Sequence, residues 1–459
     1  MSTTASMMEL ALPRSGSSSG AAGTWAGHVR ILTLVRLAIP FFLVGNLGRI
    51  PMLAVAEKDA PILLNDVVVV ALVVGSLIVC LRRRSLVIDR PAGLAFAFMG
   101  VASVALLTTT AEYNFSALEL AFSAAYLLRW ATYFGIYLVV LNFVAGSDQE
   151  VVWRQIEWAV LIFAAFGIFQ SAFLPGFAQM VYPDSVIGMD WDYQGRRLVS
   201  TFLDPNFAGG LIAIVLLVVL ARIGYGAKVA MWKPSVLLLA LGLTLSRSSA
   251  LAFVVGLVVI VVARGLSRRM IRVLIGSAVL TLPVLPFVIT YAVSLNKFTI
   301  DESALTRVVA WLTALEVFGN HPLIGVGFNS YGLVIREYGY DVAGNSSFGA
   351  DGGLLFIAVT TGLVGLCLYL AMLGAIVKRC RQTWRNATNS PENRGIALGA
   401  VAATAAVLVH SVFVNSIVYP LILEPLWILW ALTHRVDGRM GEERAGDVEH
   451  RRPRLVAVT

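Results

Sequence analysis

Charged side chains are scarce in this sequence: Lys, Arg, Asp and Glu make up 14% of its 459 residues, whereas apolar residues make up 58%. A soluble domain carries about 25% charged residues, and a soluble fold of this length would interrupt its apolar stretches with polar ones. Here apolar runs of about 15–25 residues recur between Ile31 and Leu432, and runs of this length can cross a hydrocarbon core of about 30 Å. The composition excludes a soluble protein and predicts a polytopic membrane protein.

Cysteine is also scarce, and its spacing excludes two kinds of site. The three cysteines are Cys80, Cys367 and Cys380. We expect Cys80 at a cytoplasmic helix end, Cys367 within a helix and Cys380 in a cytoplasmic loop. This placement provides neither a disulfide in an oxidising compartment nor the ligand spacing of a zinc site.

The two ends of the chain lack apolar runs of spanning length. Residues 1–30 are rich in Ser, Gly and Ala and contain no apolar segment typical of a cleavable signal peptide, so we expect a flexible cytoplasmic tail. Residues 435–459 are charged, and we expect a disordered cytoplasmic tail there. The predicted membrane domain comprises residues 31–434.

Hydropathy predicts an all-α fold, a membrane bundle of about twelve transmembrane helices. Its seventh and eighth spans are short, so residues 234–263 form either two crossings or one re-entrant hairpin. The predicted span cores are residues 31–45, 62–80, 94–107, 118–144, 152–174, 207–220, 234–245, 250–263, 273–293, 354–377, 396–412 and 417–432.

The net charge of +8 does not indicate a nucleic-acid partner, because the basic residues are concentrated in short loops between the spans. Short loops rich in Lys and Arg stay in the cytoplasm. We therefore expect a bacterial inner-membrane protein with both termini in the cytoplasm. The basic loops contain Arg82, Arg83 and Arg84; Arg222, Lys228 and Lys233; Arg264, Arg268 and Arg269; and Lys378 and Arg379.

Two arginines, Arg36 and Arg129, fall inside predicted spans. An arginine at mid-membrane costs about 2.5–3.5 kcal/mol on insertion scales and usually faces a polar cavity or a partner. Arg36 either contributes to a functional site or extends from a helix start towards water. Arg129 lies deeper, and it either contributes to a site or pairs with an acidic residue such as Glu112 or Glu119.

Two outer loops, residues 175–206 and 294–352, are long, whereas most loops in compact folds have fewer than about a dozen residues. Both contain Trp, Tyr, Phe, Arg and Asp, a composition that favours binding over linking. Residues 306–318 have apolar side chains at helical spacing, which predicts a short amphipathic helix at the membrane surface. The Gly-rich segment 321–332 is expected to turn back towards the bundle.

The first two stretches with chemically capable side chains precede spans on the predicted outer side. In the first, Arg196 and Arg197 come before Asp204 and Pro205, which fit a helix N-cap and a first helical position. Capping explains Asp204 but not the arginine pair. The second is a tight turn that holds Arg247, either as a positioned cation or as an ordinary loop charge.

Two further stretches lie in and after the second long loop. One carries Arg307, Trp311 and His321. Trp311 would contact sugar or anchor the chain at the membrane interface, and the His-Pro context of His321 also fits a helix stop. The other stretch opens a long span at Asp351, which would cap the helix, act chemically, or do both.

The order of these four stretches resembles the O-antigen ligase and polysaccharide polymerase family over about residues 195–432. Arg197 to Asn206 match the family's Arg-x-x-Gly/Ser-x-Phe-x-x-Pro-Asn pattern, and Ser246 to Ala250 match its Ser-Arg-Gly/Ser-Ala turn. Arg307 to Gly327 match its Arg…Trp…His-Pro-Leu-x-Gly-x-Gly run. Asp351 to Gly365 match its His-Asn-x-x-Leu…Thr-Gly-x-x-Gly span, except that Asp351 stands where ligases carry histidine.

The resemblance implies a membrane glycan polymerase or ligase that acts on the extracytoplasmic side. Its donor would be a lipid-linked oligosaccharide on undecaprenyl pyrophosphate, and its acceptor the sugar hydroxyl of another glycan. The family histidine is taken as the base, so Asp351 is the first candidate base and His321 the second. Aspartate at this position favours a polymerase-like transferase over a strict lipid-A-core ligase.

The remaining roles follow from the leaving group. Guanidinium groups stabilise pyrophosphate by bidentate, charge-assisted hydrogen bonds, and pyrophosphate leaves readily, so we expect no metal and no other cofactor. The triplet Asp190-Trp191-Asp192 is interpreted mainly as a solvated loop. The predicted pyrophosphate-binding residues are Arg196, Arg197, Arg247 and Arg307, with Asn206, Arg129 and Trp311 as further candidates.

Two other functions are alternatives for a polytopic membrane protein of this kind. A transporter or flippase of lipid-linked glycans would use a central charged cavity with Arg36 and Arg129, but the sequence has no strong internal repeat and its polar clusters lie mainly at one surface. A peptidoglycan glycosyltransferase of the shape–elongation type also has many spans and a large outer loop, and its motifs fit poorly. Ligation and polymerisation stay open, as do the sugars, the acceptor and the oligomeric state.

Overall fold

The structure is a computed structural model that describes residues 19–55, 58–144, 146, 148–183, 195–282, 286, 302–339, 350 and 352–433. The predicted all-α class is confirmed for this part of the chain. The structure also contains one antiparallel hairpin that the sequence did not predict, β1 (Arg49–Val55) and β2 (Lys58–Leu63). Hydropathy detects runs long enough to span a membrane, and these strands are too short to form one.

The helices of the first half follow one another through short connections. They are α1 (Ser19–Phe42), α2 (Leu64–Arg83), α3 (Arg90–Glu112), α4 (Ala117–Phe143), α5 (Gln149–Phe173) and the short α6 (Phe177–Val181).

The second half contains the longest helix and two helices of the second long loop. In chain order they are α7 (Pro205–Gly224), α8 (Trp232–Leu243), α9 (Arg247–Arg264), α10 (Arg268–Thr281), α11 (Glu302–Asn320), α12 (Tyr331–Glu337), α13 (Gly353–Arg385), α14 (Pro391–His410) and α15 (Pro420–Leu432).

Eleven of the predicted spans coincide with apolar helices of the described residues. Eight of these helices are long and apolar enough to cross a membrane, namely α2 to α5, α7, α9, α13 and α14. Three are shorter, in α1, α8 and α15. The predicted span 273–293 extends beyond the described residues. Since the 12 residues of α8 cover about 18 Å, α8 is too short to cross a hydrocarbon core of about 30 Å by itself.

Helix α7 lies at the centre of the bundle. Its apolar stretch is buried along its whole length, whereas the other membrane-spanning helices are only partly buried. Its closest neighbour is α14. A Cβ atom added at Gly399 would lie 2.6 Å from the Cα atom of Val218, which is too close for any side chain. The absence of a side chain at Gly399 therefore lets the two backbones pack in direct contact.

Buried ion pairs hold one end of the bundle. Arg222, near the C-terminus of α7, bonds Glu157 of α5 and donates from Nε to Glu392 of α14 over 2.8 Å. Lys233 of α8 reaches the other oxygen of Glu157 at 2.7 Å. In α13, Arg379 pairs with Asp89, the N-cap residue of α3. We call this end, where α7, α9 and α13 finish, the basic end.

Two cysteines lie where expected along their helices, and the expectation for the third is wrong. Cys80 lies near the end of α2, and Cys367 lies within α13. Cys380 is buried within α13 rather than in a loop, because α13 continues to Arg385, two turns beyond the predicted span. Its Sγ atom lies 3.2 Å from the hydroxyl of Thr433, directly after α15.

The predicted amphipathic segment 306–318 lies within helix α11, and the segment after α11 turns back to the bundle as expected. The segment after α11 packs into a break in α13 at Gly362, whose φ of 65° and ψ of −171° are not helical. The Val326 amide donates to the Val359 carbonyl at 2.9 Å, and the Leu363 amide donates to the Pro322 carbonyl at 2.8 Å. The His-Pro-Leu and Thr-Gly motifs are therefore joined by backbone hydrogen bonds.

Candidate active site

The N-terminus of α7 lies at the end of the bundle opposite the basic end. As the sequence predicts, Asp204 is the N-cap and Pro205 the first helical residue. The buried Asp204 carboxylate accepts hydrogen bonds from the amides of Asn206 at 2.7 Å and Phe207 at 3.2 Å. These bonds satisfy two amides that the first helical turn would otherwise leave unpaired.

The tight turn between α8 and α9 joins the same end. Ser246 caps α9 by accepting from the Ser249 amide at 3.3 Å, and its hydroxyl donates to Oδ1 of Asn206 at 2.9 Å. Leu245 bends the turn with a φ of 51°. The N-termini of α7 and α9 are thus linked through side chains, which places Asn206 between two helix starts.

His410 completes this network from α14. The Ser249 hydroxyl lies 3.0 Å from Nε2 of His410, and the Ser416 hydroxyl lies 2.5 Å from Nδ1. His410 is buried. Sequence reasoning did not select it, although a single imidazole inside an apolar span was a usable signal, since polar residues within spans are usually paired or functional.

The start of α13 lies against the same end of α14. The Gly353 amide donates to the Ser411 carbonyl at 2.7 Å, and Gly352 lies against the backbone of Val412. The N-termini of α7, α9 and α13 therefore meet around the C-terminus of α14. Each helix start contributes partial positive charge, which favours anions. Asp351, the residue before Gly352, lies outside the described residues.

Arg197 and Arg307 reach this site from different parts of the chain. Arg197 donates from Nε to the Thr244 carbonyl at 2.9 Å, and Arg307 is on α11. Burial raises the pKa of the Asp204 carboxyl above its ordinary value, and the Asn206 and Phe207 amides and the charges of Arg197 and Arg307 oppose that rise. The structure therefore places two of the predicted arginines close enough to the start of α7 for their charges to act on one carboxylate.

The other two predicted arginines, Arg196 and Arg247, are exposed. Arg196 precedes Arg197, and its carbonyl accepts from the Ser171 hydroxyl at 2.7 Å. Arg247 is the first residue of α9, next to the cap Ser246. Both side chains are accessible to a ligand at the joined helix starts.

Trp311 and His321 contact different parts of the bundle. The Trp311 ring lies 6.5 Å from the ring of Phe413, which follows His410 in the chain. His321 lies beyond the far end of α11, about 21 Å along the helix from Arg307. There Nε2 of His321 contacts the hydroxyls of Tyr113 at 2.9 Å and Tyr338 at 3.3 Å.

The two arginines within spans are bound to partners. Arg36 donates from Nε to Oε1 of Gln155 at 3.2 Å. Arg129 pairs with Asp66 of α2 at 2.5 Å. The expected partners of Arg129, Glu112 and Glu119, are therefore corrected to Asp66, because the hairpin and the start of α2 fold against α4.

Replacing Arg129 with alanine is expected to destabilise the bundle by about 1–3 kcal/mol, because it leaves the half-buried Asp66 carboxylate without its cation. Asp66 would retain the Tyr133 hydroxyl at 2.5 Å, close to the fully buried Glu424. Chemical unfolding of the purified protein measures the change. Arg154→Ala, which removes an exposed pair with Glu150, is the matched control and should cost less than about 1 kcal/mol. Unchanged stability of Arg129→Ala with lost activity would contradict the structural role.

No group of three or more His, Cys, Asp or Glu side chains within the described residues is arranged to hold a metal ion. Asp190, Trp191 and Asp192 lie outside these residues. What the site offers instead is fixed positive charge at helix starts, from arginines and backbone amides, beside a buried hydrogen-bonded histidine.

Comparison with known proteins identifies part of this assembly. Residues 235–370 match the protein-family model described as O-antigen ligase, and this match confirms the resemblance predicted from the motifs. The matched segment runs from α8 into α13 and includes Arg247, Arg307, His321 and Asp351 but neither Arg197 nor His410. No curated protein matches the chain.

Proposed function

Since residues 235–370 carry an O-antigen ligase domain within a polytopic membrane bundle, we propose that this protein is a glycan polymerase or ligase. It transfers a saccharide from undecaprenyl pyrophosphate to a sugar hydroxyl on the extracytoplasmic side of the bacterial inner membrane. The donor lipid stays in the bilayer while its head group enters the site at the helix starts.

The observation that carries the proposal is that the charges of Arg197 and Arg307 both act on Asp204, where α7 begins beside α9. Two guanidinium groups whose charges reach one carboxylate could also stabilise a more highly charged anion. A diphosphate fits this environment, because bidentate guanidinium contacts and helix amides are the groups that bind phosphate oxygens. Exposed Arg247 and Arg196 would add charge at the entrance, with the Asn206 amide between the helix starts.

In the proposed reaction the bond between the anomeric carbon and the pyrophosphate oxygen breaks. A bond forms between that carbon and the acceptor hydroxyl oxygen, the hydroxyl proton passes to a base, and lipid pyrophosphate leaves. Negative charge grows on the leaving oxygen, and fixed positive charge at that place commonly supplies the largest catalytic contribution. No metal is needed for these steps.

We assign the base to Asp351, which directly precedes Gly352 at the junction of α13 and α14. Aspartate has an unperturbed pKa of about 3.9, so this role requires surroundings that make the carboxylate more basic. His321 remains the second candidate, although its contacts to Tyr113 and Tyr338 favour a structural role. Trp311 would stack on the saccharide.

Incubation of the purified protein with a defined lipid-linked oligosaccharide tests the function. A ladder of products indicates a polymerase, and a single transfer to a distinct acceptor indicates a ligase. Release of lipid pyrophosphate should accompany either outcome. Movement of the donor across a bilayer with its glycan linkage unchanged would favour the transporter and contradict the proposal. The partners of Arg36 and Arg129, which are Gln155 and Asp66, speak against a transport role for these two arginines.

A further inference from the structure

A pocket opens at the basic end of the bundle, far from the N-termini of α7, α9 and α13. It has a volume of about 930 Å³ and lies between the C-terminal ends of α9 and α13, the start of α14, and Tyr225 after α7. This volume falls within the range of about 300–1,000 Å³ that is usual for ligand pockets. The length of α7 separates the pocket from Asp204 by about 30 Å.

The charge of this pocket is one-sided. Among the described residues, four arginines line it, Arg264, Arg381, Arg385 and Arg394, and no carboxylate does. Within the described residues none of the four makes an ion pair. The nearest acidic residue in the chain, Glu392, is bound to Arg222. Four positive charges around one cavity repel one another unless an anion lies between them.

Aromatic rings and a carbonyl hold two of these arginines in place. The guanidinium carbons of Arg264 and Arg394 lie 5.1 Å and 4.8 Å from the centre of the Tyr225 ring. Arg394 also donates from Nε to the Trp384 carbonyl at 3.0 Å. Because Arg394 lies in the first turn of α14, the helix dipole disfavours its charge. Compensation of a helix dipole therefore does not explain this arginine.

The remaining wall of the pocket is apolar and faces outward. Val258, Val259 and Val262 of α9 form it, and Val258 and Val262 are 53% and 82% exposed. In a membrane-spanning helix such residues face the acyl chains. The pocket therefore presents guanidinium groups on one side and a hydrocarbon-facing surface on the other, which suits an amphipathic anion.

We propose that this pocket binds the head group of an anionic phospholipid through its phosphates, with an acyl chain along the valine face of α9. Four arginines favour a lipid that carries two phosphates over one that carries a single phosphate. Basic pockets between membrane helices on the cytoplasmic side bind such head groups, and the predicted orientation places the basic end there. This site is separate from the proposed transfer site.

Native mass spectrometry of the full chain, titrated with cardiolipin, phosphatidylglycerol or phosphatidylcholine, tests the proposal. The wild type should bind cardiolipin most tightly and phosphatidylcholine least. The double variant Arg381→Ala/Arg385→Ala should bind cardiolipin about 30-fold more weakly, from about 1 kcal/mol for each arginine near the membrane surface. It leaves the bond between Arg394 and Trp384 intact.

The matched control is Arg82→Ala/Arg268→Ala, which removes the same charge from exposed positions outside the pocket. It should bind cardiolipin like the wild type. An equal loss in both double variants would overturn the proposal, because it would show general attraction by surface charge. Equal binding of phosphatidylcholine would also overturn it, because it would show that the negative charge of the lipid has no effect. Competition by inorganic pyrophosphate tests whether the acyl chain contributes to binding. If pyrophosphate displaces cardiolipin completely at concentrations comparable to those of the lipid, the pocket is a site for free phosphate, and the proposal is contradicted.

Discussion

Replacement of both Arg197 and Arg307 with alanine is expected to reduce glycan transfer by about 10⁴-fold or more, and each single replacement by about 10²–10³-fold. Both guanidinium groups act on Asp204 at the start of α7, yet one comes from the loop before α7 and the other from α11. If both meet the diphosphate, removing either leaves growing charge on the leaving group without a fixed partner. The initial rate with one lipid-linked oligosaccharide measures the effect.

Two further variants separate catalysis from folding. Arg197→Lys and Arg307→Lys keep the charge beside Asp204 but lose the bidentate geometry, so they should fold like the wild type and lose part of the rate. Arg272→Ala removes an exposed arginine of α10, whose Nε contacts the Arg268 carbonyl, and should leave the rate unchanged. Near-normal transfer by a folded Arg197→Ala/Arg307→Ala variant would contradict the assigned roles.

Replacement of Asp351 with asparagine is expected to reduce transfer by about 10²–10⁴-fold, the usual contribution of a general base. Asparagine keeps the size and a capping oxygen but cannot accept the acceptor proton at useful rates. Asp351→His should restore part of the rate, because the related ligases carry histidine there. Since imidazole has an ordinary pKa of about 6.5 and a carboxyl about 3.9, the acidic limb of the pH–rate profile should move to higher pH.

His321→Ala is the companion variant for the base. Its imidazole binds Tyr113 and Tyr338 about 21 Å along α11 from Arg307, so we expect reduced stability and a rate within a few-fold of the wild type. A large loss of rate in His321→Ala, together with a normal rate in Asp351→Asn, would exchange the two assignments. The pH–rate profile of each variant distinguishes a lost base from a displaced helix.

Local sequence features predicted much of this fold because they act over short distances. Apolar runs located the helices, since a span must be apolar along its own length. The Asp204-Pro205 pair predicted the start of α7, because a cap depends on adjacent residues. Arg197 and Arg307 stood out as positive charge on the predicted outer side, and in the structure both charges act on Asp204.

Contacts between distant segments could not be predicted in this way. The hydrogen bonds that join Asn206, Ser246, Ser249 and His410 link three helices, and no periodicity within one helix encodes them. Arg129 was assigned acidic partners close in sequence, whereas Asp66 reaches it from α2. The basic pocket arises only where three helix ends meet, so its arginines read in sequence as ordinary loop charges.

Binding of a short-chain lipid pyrophosphate by calorimetry, to the wild type and to Arg197→Ala/Arg307→Ala, is the most direct test of the central claim. This product carries the fully developed charge of the leaving group. If the two guanidinium groups hold it, the double variant should bind it at least about 100-fold more weakly, or about 2.7 kcal/mol. Equal affinity of the two folded proteins would mean that the diphosphate binds elsewhere.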